Sequence, residues 1–454
     1  MGKNLFERVV EAPAEVLEST LDATGKMIGS LPHNASMKRA QDYWHILGPG
    51  LTTGASDDDP SGIATYSQAG AQYGFQLLWL AAFTLPLMAL VQEMCARIGL
   101  VTGRGLAGNI RTHFPRWILY VSTSLLFLAN SFNIGADLGA MAKGTQLLLP
   151  HFNYAVLIVG FTVLSLALQI FTTYEKYAKY LKWLALVLFS YILSALLAHL
   201  NWGDVLRAAV VPSITFSKEQ LLLICAILGT TISPYLFFWQ TSQEVEEQVL
   251  GGKVTIASRQ GTTRQEINNM RIDVISGMTL SNIVMFFIIA ACGGVLFPHG
   301  IRIIATAADA AEALRPIAGN ATYLLFGLGI IGTGLLAIPV LAGSTSYALS
   351  ESFGWRMGLY RTLKQAHAFY GVIILSMFAG LALNFIGIDP IKALIYSAVA
   401  NGLVAPIILA LIVKLSSNRH LMGEHRNHPA TTAVGWLITG LMVVSGLAAL
   451  YSLI

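Results

Sequence analysis

The chain has 454 residues, of which 55% are hydrophobic and 11% charged, and its formal net charge is +4. A soluble protein is about one quarter charged, so the composition excludes an ordinary soluble domain, and the small net charge argues against nucleic acid as a partner. Apolar runs of about 18 residues or more recur along most of the length, the mark of a polytopic membrane protein, and only helices or closed barrels satisfy their backbone in lipid.

The N-terminal stretch LFERVVEAPAEVLESTLDATGKM is acidic and amphipathic and contains no apolar h-region, so residues 1–45 are expected to form a cytoplasmic N-terminal segment with no cleavable signal peptide. An all-α transport domain is expected over 46–453. Its eleven spans fall at 46–70, 75–98, 117–141, 153–172, 182–200, 221–243, 272–297, 322–349, 367–387, 390–414 and 431–453. The connection after the seventh span, IIATAADAAEALRPIAG, reads as a surface helix. Cys95, Cys225 and Cys292 are widely spaced in apolar segments and match no metal or redox pattern, so they read as small core residues.

The connections orient this arrangement. With the N-terminus in the cytoplasm and the chain alternating, only six of the 28 Lys and Arg face outward: Lys143, Arg207, Lys218, Arg302, Arg315 and Lys392. That asymmetry follows the positive-inside rule and places the C-terminus outside. The basic residues at 176–182 and 259–271 then read as solvated inner loops, and their density alone does not imply lipid binding.

Few acids fall within a span, and an intramembrane acid is a functional candidate because a central charge costs about 2.5–3.5 kcal/mol on insertion scales. Glu93 lies four residues before Arg97, the spacing of a helical ion pair. Asp137 shares a helical face with Asn130 and Asn133, and reads either as a lining residue or as a polar helix contact.

Two spans are interrupted by proline. The first carries Asp57, Asp58 and Asp59 before Pro60, five residues after Gly54; the sixth carries Ser233-Pro234, four residues after Gly229. Proline removes a donor and frees an upstream carbonyl. Two broken spans, one in each half of a transporter, point to its substrate site. Spans one and six are five apart, the spacing of two five-helix inverted repeats at about 46–200 and 221–414, with 431–453 as an added helix. The donors available, the aspartates, the Thr230 and Ser233 hydroxyls, the Asn401 amide and freed carbonyls, are all oxygens. The breaks themselves carry no Cys, His or Met. Such a set suits magnesium, calcium or manganese rather than later transition metals. HLMGEHRNHP at 420–429 holds three histidines in a spacing that matches no ligand pattern.

These features over 46–453 resemble the NRAMP family of divalent-metal transporters, whose fold is leucine-transporter-like. The family's first-helix Asp-Pro-Gly-Asn corresponds to Asp59, Pro60, Ser61 and Gly62, so the asparagine is lost. Its sixth-helix Ala-Thr-Val-Met-Pro-His corresponds to Thr230, Thr231, Ile232, Ser233, Pro234 and Tyr235, so methionine and histidine are replaced. Its third-helix Asp-Leu-Ala-Glu reads Asp137, Leu138, Gly139 and Ala140, and the tenth-helix Ser-Gln reads Ser397-Ala398. The departures resemble the magnesium-transporting branch of the family, in which loss of the methionine removes discrimination against magnesium.

The function expected is Mg²⁺ uptake, with Mn²⁺ as a second substrate, by a monomer in the cell inner membrane, without proton coupling and without a cofactor. Asp59 is the expected main ligand. Gly62, Thr230 and Ser233 shape the site through backbone or hydroxyl oxygens, Asn401 contributes an amide, and Asp137 a further carboxylate. Asp57 and Asp58 are expected toward an outer vestibule, where either holds the hydration shell. The alternatives are a proton-coupled manganese or iron symporter, a passive channel and, more remotely, a Mg²⁺-dependent intramembrane prenyl transferase. The enzyme would need a second acidic motif, and EVEEQ at 244–248 reads as loop.

Overall fold

The structure, a computed structural model, describes residues 43–44, 46–172, 174–198, 200–304, 307–386 and 390–453. The chain divides into two units after Ile46, and the helices below belong to the second, from Leu47 onward. The expected cytoplasmic segment 1–45 lies almost wholly outside the described residues.

Every regular element among the described residues is helical. The first span is two half-helices, α1 (Pro49–Asp57) and α2 (Pro60–Tyr73). The second is α3 (Trp79–Thr102), followed by the short α4 (Leu106–His113). Then come α5 (Arg116–Leu148), α6 (Tyr154–Phe171), and the fifth span as α7 (Tyr174–Leu184), one 3-10 turn and α8 (Phe189–Leu197). After α9 (Trp202–Val210), the sixth span is again divided, into α10 (Lys218–Thr231) and α11 (Pro234–Leu250). A single-turn α12 (Ile256–Arg259) leads to α13 (Arg264–Val295), α14 (Ala307–Phe353), α15 (His367–Leu383), α16 (Pro390–Ser417), α17 (Arg419–Met422) and α18 (Pro429–Leu453). Nine of these stretches are long and apolar enough to cross a membrane, counting α7–α8 and α10–α11 as one each. The shorter α15 and the α1–α2 pair complete the eleven expected spans.

Two expectations fail here. The surface helix expected after the seventh span is not separate: from Ala307 it runs into the eighth as one helix of 47 residues. EVEEQ, expected as loop, forms the end of α11, with Glu244 and Glu246 buried.

The two breaks are built alike. Each first half ends on a residue outside helical geometry, Asp58 (φ −84°, ψ 53°) and Ile232 (φ −111°, ψ 60°). Each second half begins with an extended residue and proline, Asp59-Pro60 and Ser233-Pro234. The residue before proline is excluded from helical geometry, and proline at the first helical position loses nothing by lacking its N–H. The prolines therefore fix both where one helix ends and where the next begins.

Gly54 and Gly229 do not make these breaks. Both lie inside helices and bring backbones together. A Cβ on Gly54 would overlap the backbone of Gly277 in α13, and one on Gly229 would overlap the carbonyl of Ala398 in α16. In lipid, such small-residue approaches supply the packing that the hydrophobic effect supplies in water. They seat α1 on the seventh span and α10 on the tenth.

The start of α1 is held by polar contacts as well. Asp273, near the start of α13, accepts from the backbone N–H of Gly48 (2.8 Å), Gly50 (2.7 Å) and Leu51 (3.0 Å). A carboxylate there satisfies orphan donors and complements the positive end of the helix. Lys182, expected in a solvated loop, instead donates to the Leu47 carbonyl at 2.6 Å. Glu93 pairs with Arg97 (2.9 Å), as its spacing predicts, and also with Arg271 (2.9 Å). The three cysteines are buried and free.

Candidate metal centre

The two breaks lie among α5, α13, α14 and α16, which pack around the half-helices. The ends α1 and α10 present there are C-terminal, where unpaired carbonyls and the negative end of the helix dipole favour a cation.

Four aspartates are gathered at this place and sealed from solvent: Asp57, Asp58 and Asp137 are 0% exposed and Asp59 is 2% exposed. Asp57 and Asp58, expected toward an outer vestibule, are instead fully buried at the end of α1 and the turn after it. Their bonding differs sharply. Asp59 is the most engaged. Its Oδ1 accepts from the Ser61 hydroxyl (2.7 Å) and the Gly62 N–H (2.6 Å), capping α2, and its Oδ2 accepts from the Asn133 amide (2.8 Å). A carboxylate offers about four lone-pair sites, so Asp59 has about one left. Asp57 keeps Oδ1 free while Oδ2 accepts from Ser281 at 2.9 Å. Both oxygens of Asp58 and both of Asp137 are buried without a hydrogen-bond partner, as is Oδ1 of Asn401. Asp137 stands beside Asp59 and the Ser61 amide.

The other expected ligands do less than foreseen. Gly62 supplies its N–H to Asp59 rather than an oxygen. A Cβ there would lie 3.3 Å from the Asp57 carbonyl oxygen, so the turn is tight for a larger residue. The Ser233 hydroxyl turns back onto its own helix, donating to the carbonyls of Thr230 (2.6 Å) and Gly229 (2.8 Å). The Thr230 hydroxyl likewise donates to Ile227 O at 2.9 Å. The Ser233 proton covers carbonyls that the break had freed, leaving hydroxyl lone pairs as the available donors.

Several groups at the centre carry no signal of it in the sequence. Asn133 joins three spans: it donates to Asp59 and accepts at Oδ1 from the Ser397 hydroxyl (2.7 Å). Asn130, on the same face, is instead spent on α14, donating to Ser344 (3.0 Å) and Thr345 (2.8 Å). Tyr235 donates across the two breaks to the Ser56 carbonyl at 2.8 Å. Buried phenols of Tyr66 and Tyr191 also stand near the aspartates. Met141, one turn beyond Asp137, packs with Pro60 against Gly334. Only the polarity of Asn133 and its place on the Asp137 face could have signalled any of these in advance.

The histidines at 420–428 form no such centre. His420 and His425 share a cavity with His113. Among the described residues no three His, Cys, Asp or Glu side chains are arranged to hold an ion directly, the four aspartates at the breaks included.

Known proteins resemble the chain over nearly its whole length. A family profile described as natural resistance-associated macrophage protein-like matches residues 50–452. The divalent metal cation transporter MntH of Aeromonas hydrophila is 28% identical over 411 residues, 88% of this chain and 93% of that protein. MntH of Klebsiella pneumoniae is 27% identical over 428 residues, 92% and 96% of the two chains. Among solved structures, a histidine-to-alanine variant of the Eremococcus coleocola manganese transporter superposes with a TM-score of 0.69 at 17% identity, covering 92% of this chain and 88% of that one. MHP1, a nucleobase-cation-symport-1 family transporter in a closed conformation, gives 0.55 at 16% identity, covering 89% and 91%. These likenesses establish the all-helical, leucine-transporter-like fold with broken first and sixth spans. With its profile matched from 50 to 452, the chain belongs to the Nramp family.

Proposed function

We propose that this transporter carries a divalent cation, Mg²⁺ and also Mn²⁺, into the cytoplasm, binding it where the first and sixth spans are interrupted. The observation that carries the reading is the set of buried oxygens without partners on Asp57, Asp58, Asp137 and Asn401. A buried carboxylate needs a counter-charge or a proton, and the ion pairs among the described residues involve none of these acids. A divalent ion would satisfy several of them at once. Oxygen donors favour hard ions, and Mg²⁺ keeps part of its water shell. Asp58, Asp137 and Asn401 are suited to hold those waters, while Asp59, with about one lone pair left, makes at most one direct bond.

The MntH relatives are transporters, and the prenyl-transferase alternative is set aside with them. We take the positive-inside asymmetry to put the N-terminus in the cytoplasm and the C-terminus outside, in the inner membrane. An inside-negative potential of 100 mV favours entry of a divalent ion by about 4.6 kcal/mol, so uptake needs no proton. Tyr235, at the place of the family's histidine, is engaged with Ser56. The test is uptake of Mg²⁺ and Mn²⁺ into proteoliposomes with internal pH followed at the same time. Potential-driven, saturable uptake without acidification is expected. Acidification that tracks entry would favour a proton symporter, uptake that does not saturate a channel, and full uptake by Asp59→Ala would remove the site from the pathway.

A further inference from the structure

A second cavity, of about 410 Å³, opens at the end of the bundle that carries the basic connections. It lies between α4, the end of α11, α12 and the turn after α14. Three arginines line it, Arg104, Arg111 and Arg259, together with Glu246, Glu351 and Trp355.

The two carboxylates are already satisfied by other groups. Glu351 accepts from the N–H of Gly105 (2.8 Å) and Gly108 (2.9 Å), holding the start of α4. Glu246 accepts from the Tyr347 hydroxyl (2.5 Å) and the N–H of Leu359 (2.9 Å) and Tyr360 (3.2 Å). None of the ion pairs among the described residues involves the three arginines. Each guanidinium is held by a single neutral acceptor: Arg104 by Thr112 (3.0 Å), Arg111 by the Glu351 carbonyl (3.2 Å) and Arg259 by the Val254 carbonyl (3.3 Å). A guanidinium has five N–H donors, so most remain unspent. Arg259 is only 9% exposed, and its Nε is buried with no partner. Beside the cavity Trp355 stacks on Phe353 (4.8 Å) and Phe353 on Tyr120 (5.6 Å), all partly exposed. Exposed aromatics of this kind mark the level of lipid headgroups.

Three guanidiniums with spare donors repel a divalent cation and recognise a phosphate, to which arginine binds two oxygens at once. We propose that this cavity binds a phosphate-bearing anion of headgroup size, bridging α4, α11 and the end of α14 and so holding three elements of this end of the transporter together. Its volume is in the range of small-molecule pockets rather than of a bare ion, and the inference does not depend on which cation is carried.

The test is binding by the purified protein in detergent, read as a shift in Tm and as lipid retained in native mass spectrometry. The probes are dioleoylphosphatidylglycerol, zwitterionic dioleoylphosphatidylcholine and inorganic phosphate. Phosphatidylglycerol should raise Tm and be retained where phosphatidylcholine is not. Arg104→Gln and Arg259→Gln should each weaken it roughly tenfold or more, the loss expected for a charged hydrogen bond. A response to phosphatidylglycerol alone identifies a lipid; a response to inorganic phosphate as well identifies the phosphate group as the recognised part. Should Arg259→Gln not fold, the more exposed Arg104→Gln and Arg111→Gln carry the test. Equal retention of both lipids with no response to phosphate, or affinities unchanged in the variants, would overturn the proposal.

Discussion

The phenol of Tyr235 donates to the backbone carbonyl of Ser56 at 2.8 Å, so the first turn of α11 holds the last turn of α1 across both helix breaks. Ser56 in turn donates from its hydroxyl to the Thr52 carbonyl, 2.7 Å away. The bond removes one carbonyl from those facing the centre and ties α11 to α1.

Tyr235→Phe keeps the ring and deletes the bond, leaving the buried Ser56 carbonyl unpaired. The expected cost to folding stability is about 1–3 kcal/mol. Thermal melting should show a lower Tm. An unchanged Tm would mean that the bond contributes nothing to that stability.

Asn133→Ala removes the amide that joins Asp59 to Ser397. Asp59 then keeps its cap on α2 and loses the partner that fixes Oδ2. Metal affinity should fall by about tenfold, equivalent to ~1.4 kcal/mol, with a larger change in KM than in maximal rate. Uptake titrated against Mn²⁺ in proteoliposomes measures the split.

Asp273→Asn leaves one acceptor oxygen where the carboxylate now takes three N–H bonds from the start of α1. Bonds to charged groups are worth roughly 1.5–3 kcal/mol, so α1 should detach from α13 more often. A cysteine placed at Ser56 in that background should react faster with a thiol reagent applied from the basic side. Equal reactivity in the two backgrounds would show that Asp273 does not hold α1 against α13.

Ser233→Met places a thioether at the second break and removes the hydroxyl that covers the Gly229 and Thr230 carbonyls. Sulfur favours softer ions. The ratio of Mn²⁺ to Mg²⁺ uptake should rise, by roughly tenfold if the change is worth ~1.4 kcal/mol. Competition between the two ions in one uptake assay gives the ratio.

The breaks and the spans could be read from the chain because proline acts locally: Pro60 and Pro234 dictate the geometry of the residues just before them. Nine of the eleven expected spans followed from length and hydropathy. The division of labour among the acids could not be read that way. Asp59 looked like the main ligand because it precedes proline, yet most of its lone pairs go to Ser61, Gly62 and Asn133, the last of these 74 residues away. Asp58 and Asp137 keep oxygens without a full hydrogen bond although Ser281 and the Ser61 amide stand near them, a tertiary arrangement without a local signal. The role of Gly54 and Gly229 had no local signal either: Gly277 and Ala398 on distant spans make them contact points. The second acidic stretch was misread as loop because its charges suggested solvent, whereas the backbone N–H groups of Leu359 and Tyr360 bury Glu246 within a helix.

Whether the ion binds between the two helix breaks is tested most directly by anomalous diffraction from crystals soaked in Mn²⁺. One strong peak is expected there, within reach of Asp58, Asp137 and the remaining lone pair of Asp59, with waters completing the shell. A site fully occupied elsewhere, with no peak among these aspartates, would contradict the proposed binding site.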